Sequence, residues 1–192
     1  MNFTEILNNR RSIRKYKDTP IPLGLIKNII NDSILAPSAG NEQPWQFIIV
    51  NNLEVINRIS DECKQSMLKR IASNSNDYAK RYEKMLSNEA FHIFYHAPAV
   101  VFILGDAGLK NLYVECALAA SYFMMSATSK GLGTCWVNFG TEIHNSDLRN
   151  ELGLSDKHEI VAPIALGYPD KIPGIPRRKE PQIIKIIPAN HT

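Results

Sequence analysis

Residues 112–127 carry one charge, Glu115, and otherwise place Leu, Tyr, Val, Ala, Phe and Met on nearly every face of the helix they would form. A helix apolar all round is buried, either in a large core or between subunits. A chain of 192 residues builds one core of moderate size. A subunit interface is therefore the stronger expectation for the surplus apolar face. The segment is too short, and too interrupted by its carboxylate, to span a membrane.

The remaining pattern fills in around that helix. Asn2 followed by Glu5 reads as a helix start, with Phe3, Ile6 and Leu7 on one face and an end near Arg10. Leu23 to Ile34 repeats the helical spacing, and Pro37 closes it. Gln46–Val50 reads as a buried strand, and Leu53 to about Ile71 as a helix carrying Ile56, Ile59, Cys63 and Met67. Pro98–Leu104, Cys135–Val137 and Ile160–Leu166 read as strands, and Ser146–Leu152 as a helix stopped by Gly153. Strands alternating with more numerous helices give an α+β class, a mixed α/β sheet flanked by helices, in one domain over residues 1–192. Ala72 to Glu89 is polar and turn-rich, and is expected to be a mobile or substrate-facing excursion with a short helix carrying Tyr78, Tyr82 and Met85. The tail Gln182–Ile187 has high strand propensity and little chain left to pack on, so a partner subunit is its natural docking place.

Composition narrows the function. The net charge of +3 demands neither a nucleic acid nor an anionic membrane, although clustered Arg and Lys still attract a small anion. Three cysteines, Cys63, Cys116 and Cys135, lack any paired spacing, and the N-terminus lacks a secretory pattern. A reducing, cytoplasmic setting follows. His92 and His96 stand four apart without a third ligand of matching spacing, so no metal site is expected.

Two stretches carry chemistry. Arg10-Arg11-Ser12-Ile13-Arg14 sets guanidinium groups and a hydroxyl just beyond the first helix. Such groups bind phosphate oxygens through charge-assisted bonds, although Arg residues there also serve simply to complement a helix dipole. Pro37-Ser38-Ala39-Gly40-Asn41-Glu42-Gln43-Pro44-Trp45 is a loop of turn formers and amides running into the first strand. Ser38, Asn41 and Gln43 offer both donors and acceptors, and the prolines stiffen the loop.

In this order and spacing the two stretches resemble the FMN-dependent nitroreductase family, and the similarity extends through the long helix and Gly131-Leu132-Gly133-Thr134-Cys135-Trp136 to the basic tail. The resemblance implies an α+β homodimer with two FMN sites at the interface and a C-terminal arm extending onto the partner. By that likeness Arg10, Arg11, Ser12 and Arg14, with Arg177 and Lys179 of the tail, serve the FMN phosphate, while Pro37, Ser38, Ala39, Asn41 and Gln43 serve the ribityl chain and ring edge. Trp136 and Val137 would pack on the ring, and the backbone near Asn138 or Phe139 would donate to flavin N5.

The implied activity is transfer of hydride from NADH or NADPH through the flavin to an electron-poor acceptor (nitroaromatic, quinone or enone) in a ping-pong sequence, with no acid–base side chain required. A reductive dehalogenase, a flavin-fragmenting enzyme and a non-catalytic flavin-binding or redox-sensing protein are the alternatives. One departure stands out. Family members carry an Asn and a Lys before the second strand, against the flavin pyrimidine, whereas Asn88–His96 has no lysine. A cation there stabilises the anionic reduced flavin. Arg10, Arg14 or a residue between Arg70 and Arg81 is left to replace it.

Overall fold

The computed structural model describes residues 1–74 and 76–188. Its elements are α1 (Phe3–Asn9), α2 (Leu23–Ser33), β1 (Gln46–Val50), α3 (Leu53–Ser73), α4 (Glu83–Leu86), β2 (Ala99–Asp106), α5 (Leu112–Ser129), β3 (Gly133–Trp136), α6 (Ser146–Glu151) and β4 (His158–Gly167). Short 3-10 turns cover Ala39–Asn41, Tyr78–Tyr82 and Asn138–Thr141. The helix starts follow their caps. Asn2 and Glu5 form a reciprocal capping box on α1, and Asn52 Oδ1 accepts from Glu54 N and Val55 N at the start of α3, each cap contributing about 1 kcal/mol.

The sheet order is β1-β2-β4-β3, and all three pairings are antiparallel. Among the described residues, the mixed character expected from the sequence is confined to one parallel bridge, Ser12 with Thr134. Central β2 and β4 are buried on both faces, as their unbroken apolar runs require. One face packs on α2 and α5, the other on α3 and the turn before β2.

One expectation needs correction. Gln46–Val50 is an edge strand: Gln46 is exposed, residues 47–49 are half-buried, and only Val50 is fully covered. An apolar run does not reveal which edge of a sheet lacks a neighbour. Residues 76–88 carry the expected short helix and are anchored at two points, with most of their other side chains exposed. Ala79 and Leu86 are buried against Met67 and Ile71, and Arg70 ion-pairs with Asp77 (2.9 Å) and Glu142. Ser75, in the middle of the turn-rich stretch, lies outside the described residues. In the single chain, residues 171–188 are exposed and without regular structure, with Ile184 wholly exposed. A strand needs a hydrogen-bonded neighbour, and none of the described residues of the same chain supplies one.

Helix α5 divides into two faces. Leu112, Cys116, Ala119, Ala120, Phe123 and Ala127 are buried, whereas Val114, Leu118 and Tyr122, four residues apart, form an apolar stripe at the surface. Exposed Phe3, Leu7 and Leu35 belong to helices α1 and α2 or their ends, and an opening lined by Phe3, Leu35, Tyr122 and Met125 joins them to that stripe.

Candidate functional site

The segment after α1 is extended, and its side chains alternate. Arg11 and Ile13 are buried, while Arg10 and Ser12 are half-buried and Arg14 is exposed. Ile13 N donates to Thr134 O at 2.9 Å, which fixes the segment beside β3. Gly133 permits this approach, since a Cβ there would lie 2.4 Å from Ile13 Cγ1. Arg10, Ser12 and Arg14 therefore share one side of the segment. Arg11 is a correction: its guanidinium turns inward and donates to the carbonyls of Asn8 (2.6 Å) and Arg10 (2.5 Å), closing α1. Neither Arg10 nor Arg14 meets a carboxylate among the described residues. Two uncompensated cations with a hydroxyl between them fit an anionic ligand such as a phosphate.

β3 continues along this cluster. Trp136 is half-buried, Val137 is buried with its N–H on Pro163 O (2.8 Å), Asn138 is exposed, and Phe139 sits edge-on to Tyr82 at 5.3 Å. Cys135 is buried. Burial pushes its thiol pKa up against the opposing pull of Arg14 and Arg10, so it is a poor nucleophile.

The Pro37–Trp45 loop is preorganised by its own contacts. Ser38 Oγ accepts Gln43 N at 3.0 Å, and the backbone turns left-handed at Gly40, Asn41 and Gln43. Glu115 anchors the loop to α5: the carboxylate is buried and accepts Ala39 N at 2.9 Å, while its second oxygen, also buried, has no partner. The sequence flagged Glu115 only as the lone charge in an apolar helix; its task depends on a loop 76 residues away.

The loop and the basic cluster lie at opposite ends of α5. Ala39 is held at the first turn of α5, whereas Ser12 pairs with Thr134, beyond the last turn. From Glu115 to Ser129 the helix rises about 21 Å. The sheet gives a second ruler. Pro44 lies against Gly105, which pairs with Glu159, and Thr134 pairs with Leu166. That is about 23 Å along β4. Arg177 and Lys179 are exposed on the tail, and no contact joins them to Arg10, Ser12 or Arg14 among the described residues.

Residues 88–96, which lack the expected lysine, form a turn latched to α3. Lys64 donates to the carbonyls of Asn88, Glu89 and Phe91, and Ser60 Oγ accepts Ile93 N at 3.1 Å. His92 and His96 are not on a helix. His92 Nδ1 accepts Phe94 N (3.1 Å) and His96 N (3.3 Å), and Tyr95 and His96 adopt left-handed φ of 57° and 55°. A bulky residue in that region costs on the order of 1–3 kcal/mol. The turn presents Tyr95 Oη to Arg14 Nε at 3.2 Å. Beside it, a cavity of about 470 Å³ is lined by Lys17, Asn51, Asn57, His92 and His96. No cluster of three metal-ligating side chains occurs among the described residues, and no helix there is long and apolar enough to cross a membrane.

The nitroreductase family model matches residues 7–168. A Methanothermobacter thermautotrophicus protein provisionally named NADH dehydrogenase/NAD(P)H nitroreductase is 27% identical over 179 residues, covering 91% of this chain and 81% of its own. Iodotyrosine deiodinase 1 of Sus scrofa is 26% identical, with 95% and 67% covered. The fold matches that of a Bacteroides fragilis nitroreductase crystallised with bound FMN, at a TM-score of 0.82, 24% identity, and 97% and 100% coverage. With the family model spanning most of its length, the chain belongs to the nitroreductase family.

Proposed function

We propose that this oxidoreductase is a single-domain protein that binds FMN between two copies of the chain and uses it to pass electrons from NADH or NADPH to an electron-poor small molecule. The observation that carries the reading is the uncompensated trio Arg10, Ser12 and Arg14 aligned along β3. Arg10 and Ser12 would hold the phosphate. Val137 and Trp136 line the way to Asn138 and Phe139, whose backbone would face N5. When bound, FMN supplies the redox chemistry, accepting hydride at N5 and giving it up to a nitroaromatic, quinone or conjugated carbonyl. The chain's own task is to position, to exclude water and to tune.

The 21–23 Å gap supports the two-copy arrangement. Across it, Ser38, Asn41 and Gln43 are better placed for a cofactor held by a second copy's Arg10 and Ser12 than for one held by their own. A two-fold partner supplies the loop at each site. The exposed stripe on α5 gives such a partner an apolar surface, and the open edge of β1 is a ready receptor for the partner's Ile183–Ile187 tail. Truncation after Asp170 is therefore expected to give a monomer that has lost FMN. Sedimentation and flavin absorbance on one sample check this, and an unchanged dimer would remove the arm from the proposal.

An anaerobic titration with NADH and with NADPH, following flavin absorption, tests the activity. Stoichiometric bleaching is expected, with parallel double-reciprocal lines at steady state. A flavin that neither donor reduces would point to the sensing or partner-reduced alternative. The dehalogenase reading gains support from Tyr82 of the 76–88 segment, which meets Phe139 edge-on next to the proposed ring site. Tyr82→Ala, which leaves Ala79 and Leu86 in place, separates the two: a general reductase keeps its quinone activity.

A further inference from the structure

We infer that Tyr95 is a positioning residue that aims Arg14 at the pyrimidine edge of the flavin, and that His92 holds the turn from which Tyr95 projects. The inference rests on the FMN reading above and assigns the role left open by the missing lysine. Along the extended segment Arg14 lies about 13 Å beyond Arg10, at the distance of a ring rather than of the phosphate that Arg10 meets. Its Nε is taken by Tyr95 Oη at 3.2 Å, and its guanidinium carbon lies 5.6 Å from the centre of the Tyr95 ring. Two contacts fix the plane of the group. The remaining Nη hydrogens stay free for the carbonyl-rich N1–C2=O edge, which a planar guanidinium matches better than an ammonium does. Tyr95 Oη, an acceptor toward Arg14, keeps its own hydrogen for the same edge.

The turn is costly and needs its clamp. Two successive non-glycine residues are left-handed, and His92 Nδ1 receives the N–H groups of Phe94 and His96 within that same turn. An Nδ1 that accepts both carries no proton, so the ring hydrogen is on Nε2. The groups facing the ring are His96, tilted against it at 4.6 Å, Asp61 and Lys64 on α3, and Lys17 and Asp18 across the cavity. Burial, then His96, push the His92 pKa down to about 4 from its ordinary 6.5. The fold thus favours the neutral ring. This contribution is complete above about pH 6.5 and is lost as pH falls through about 4.

The test combines the apoprotein with the loaded dimer. In the apoprotein, the Arg14 Nε–Hε resonance is expected to be distinct in ¹⁵N spectra, to merge with the free arginines in Tyr95→Phe and His92→Leu, and to persist in His92→Asn. Asparagine offers Oδ1 where Nδ1 stood and cannot take a proton, so it is also expected to abolish the loss of that signal between pH 6 and pH 4. With FMN bound, Tyr95→Phe should weaken affinity about fivefold, the worth of one hydrogen bond, and lower the midpoint potential, while His92→Asn should leave both near wild type. An Arg14 signal unmoved by Tyr95→Phe, or an asparagine variant as acid-sensitive as wild type, overturns the inference. Should His92→Leu fail to fold, the asparagine variant and Tyr95→Phe decide. Should wild type bind no FMN, the cofactor reading falls, while the Arg14 resonance still decides whether Tyr95 positions it.

Discussion

Replacing Arg10 and Ser12 together with alanine is expected to raise the FMN dissociation constant about 30- to 2,000-fold. A charge-assisted bond to a phosphate is worth about 1.5–3 kcal/mol and a hydroxyl bond about 0.5–1.5 kcal/mol, and together they span that range. Both side chains are half-buried at the end of a segment whose backbone is held independently by Ile13 and Thr134. The fold should therefore survive, and thermal unfolding of the apoprotein should move little. Fluorescence titration of released flavin measures the effect. Unchanged affinity would mean that the phosphate lies elsewhere, and the tail residues Arg177 and Lys179 would become its first candidates.

The second large effect needs no contact with the cofactor at all. Gly133→Ala would place a Cβ 2.4 Å from Ile13 Cγ1 and 2.9 Å from Ile13 Cβ. Ile13 is buried and β-branched, so it has no flexible end to swing aside. The extended segment must move off β3, carrying Arg10, Ser12 and Arg14 with it. Overpacking of this kind costs about 1–3 kcal/mol, and a shift of the donors should reduce FMN affinity further than stability alone explains. Denaturant unfolding of the apoprotein and FMN titration of the same variant separate the two. A variant of wild-type stability and affinity would mean that β3 and the Ile13 strand are less closely coupled than their contact implies.

Most elements could be read from local pattern because local pattern causes them. Asn2 and Glu5 announce a capping box that is present atom for atom, and the bounds of α3 and α5 differ from the expected ones by two residues at the C-terminal end. Ser38 could be read as a turn former, and it does close its own loop on Gln43. The residues that escaped act across the chain. Glu115 matters because of Ala39, Lys64 because of three carbonyls some 25 residues later, and Tyr95 because of Arg14, 81 positions earlier. A left-handed turn built on Tyr and His carries none of the glycine or asparagine signature that marks such turns in sequence. Arg11 was legible in principle: an extended segment alternates, so the residue between Arg10 and Ser12 had to face the other way.

The placement of the Pro37–Trp45 loop and the Arg10–Arg14 segment at opposite ends of α5 has a genetic consequence. Defects in the two regions should complement each other in trans. A chain lacking Arg10 and Ser12, mixed with one whose Asn41 and Gln43 are replaced, would form hybrid dimers in which one site draws both halves from undamaged segments. The other site of the same dimer receives both lesions. Random reassortment of equal amounts makes half the dimers hybrid, so about a quarter of all sites regain function from two stocks that separately have none.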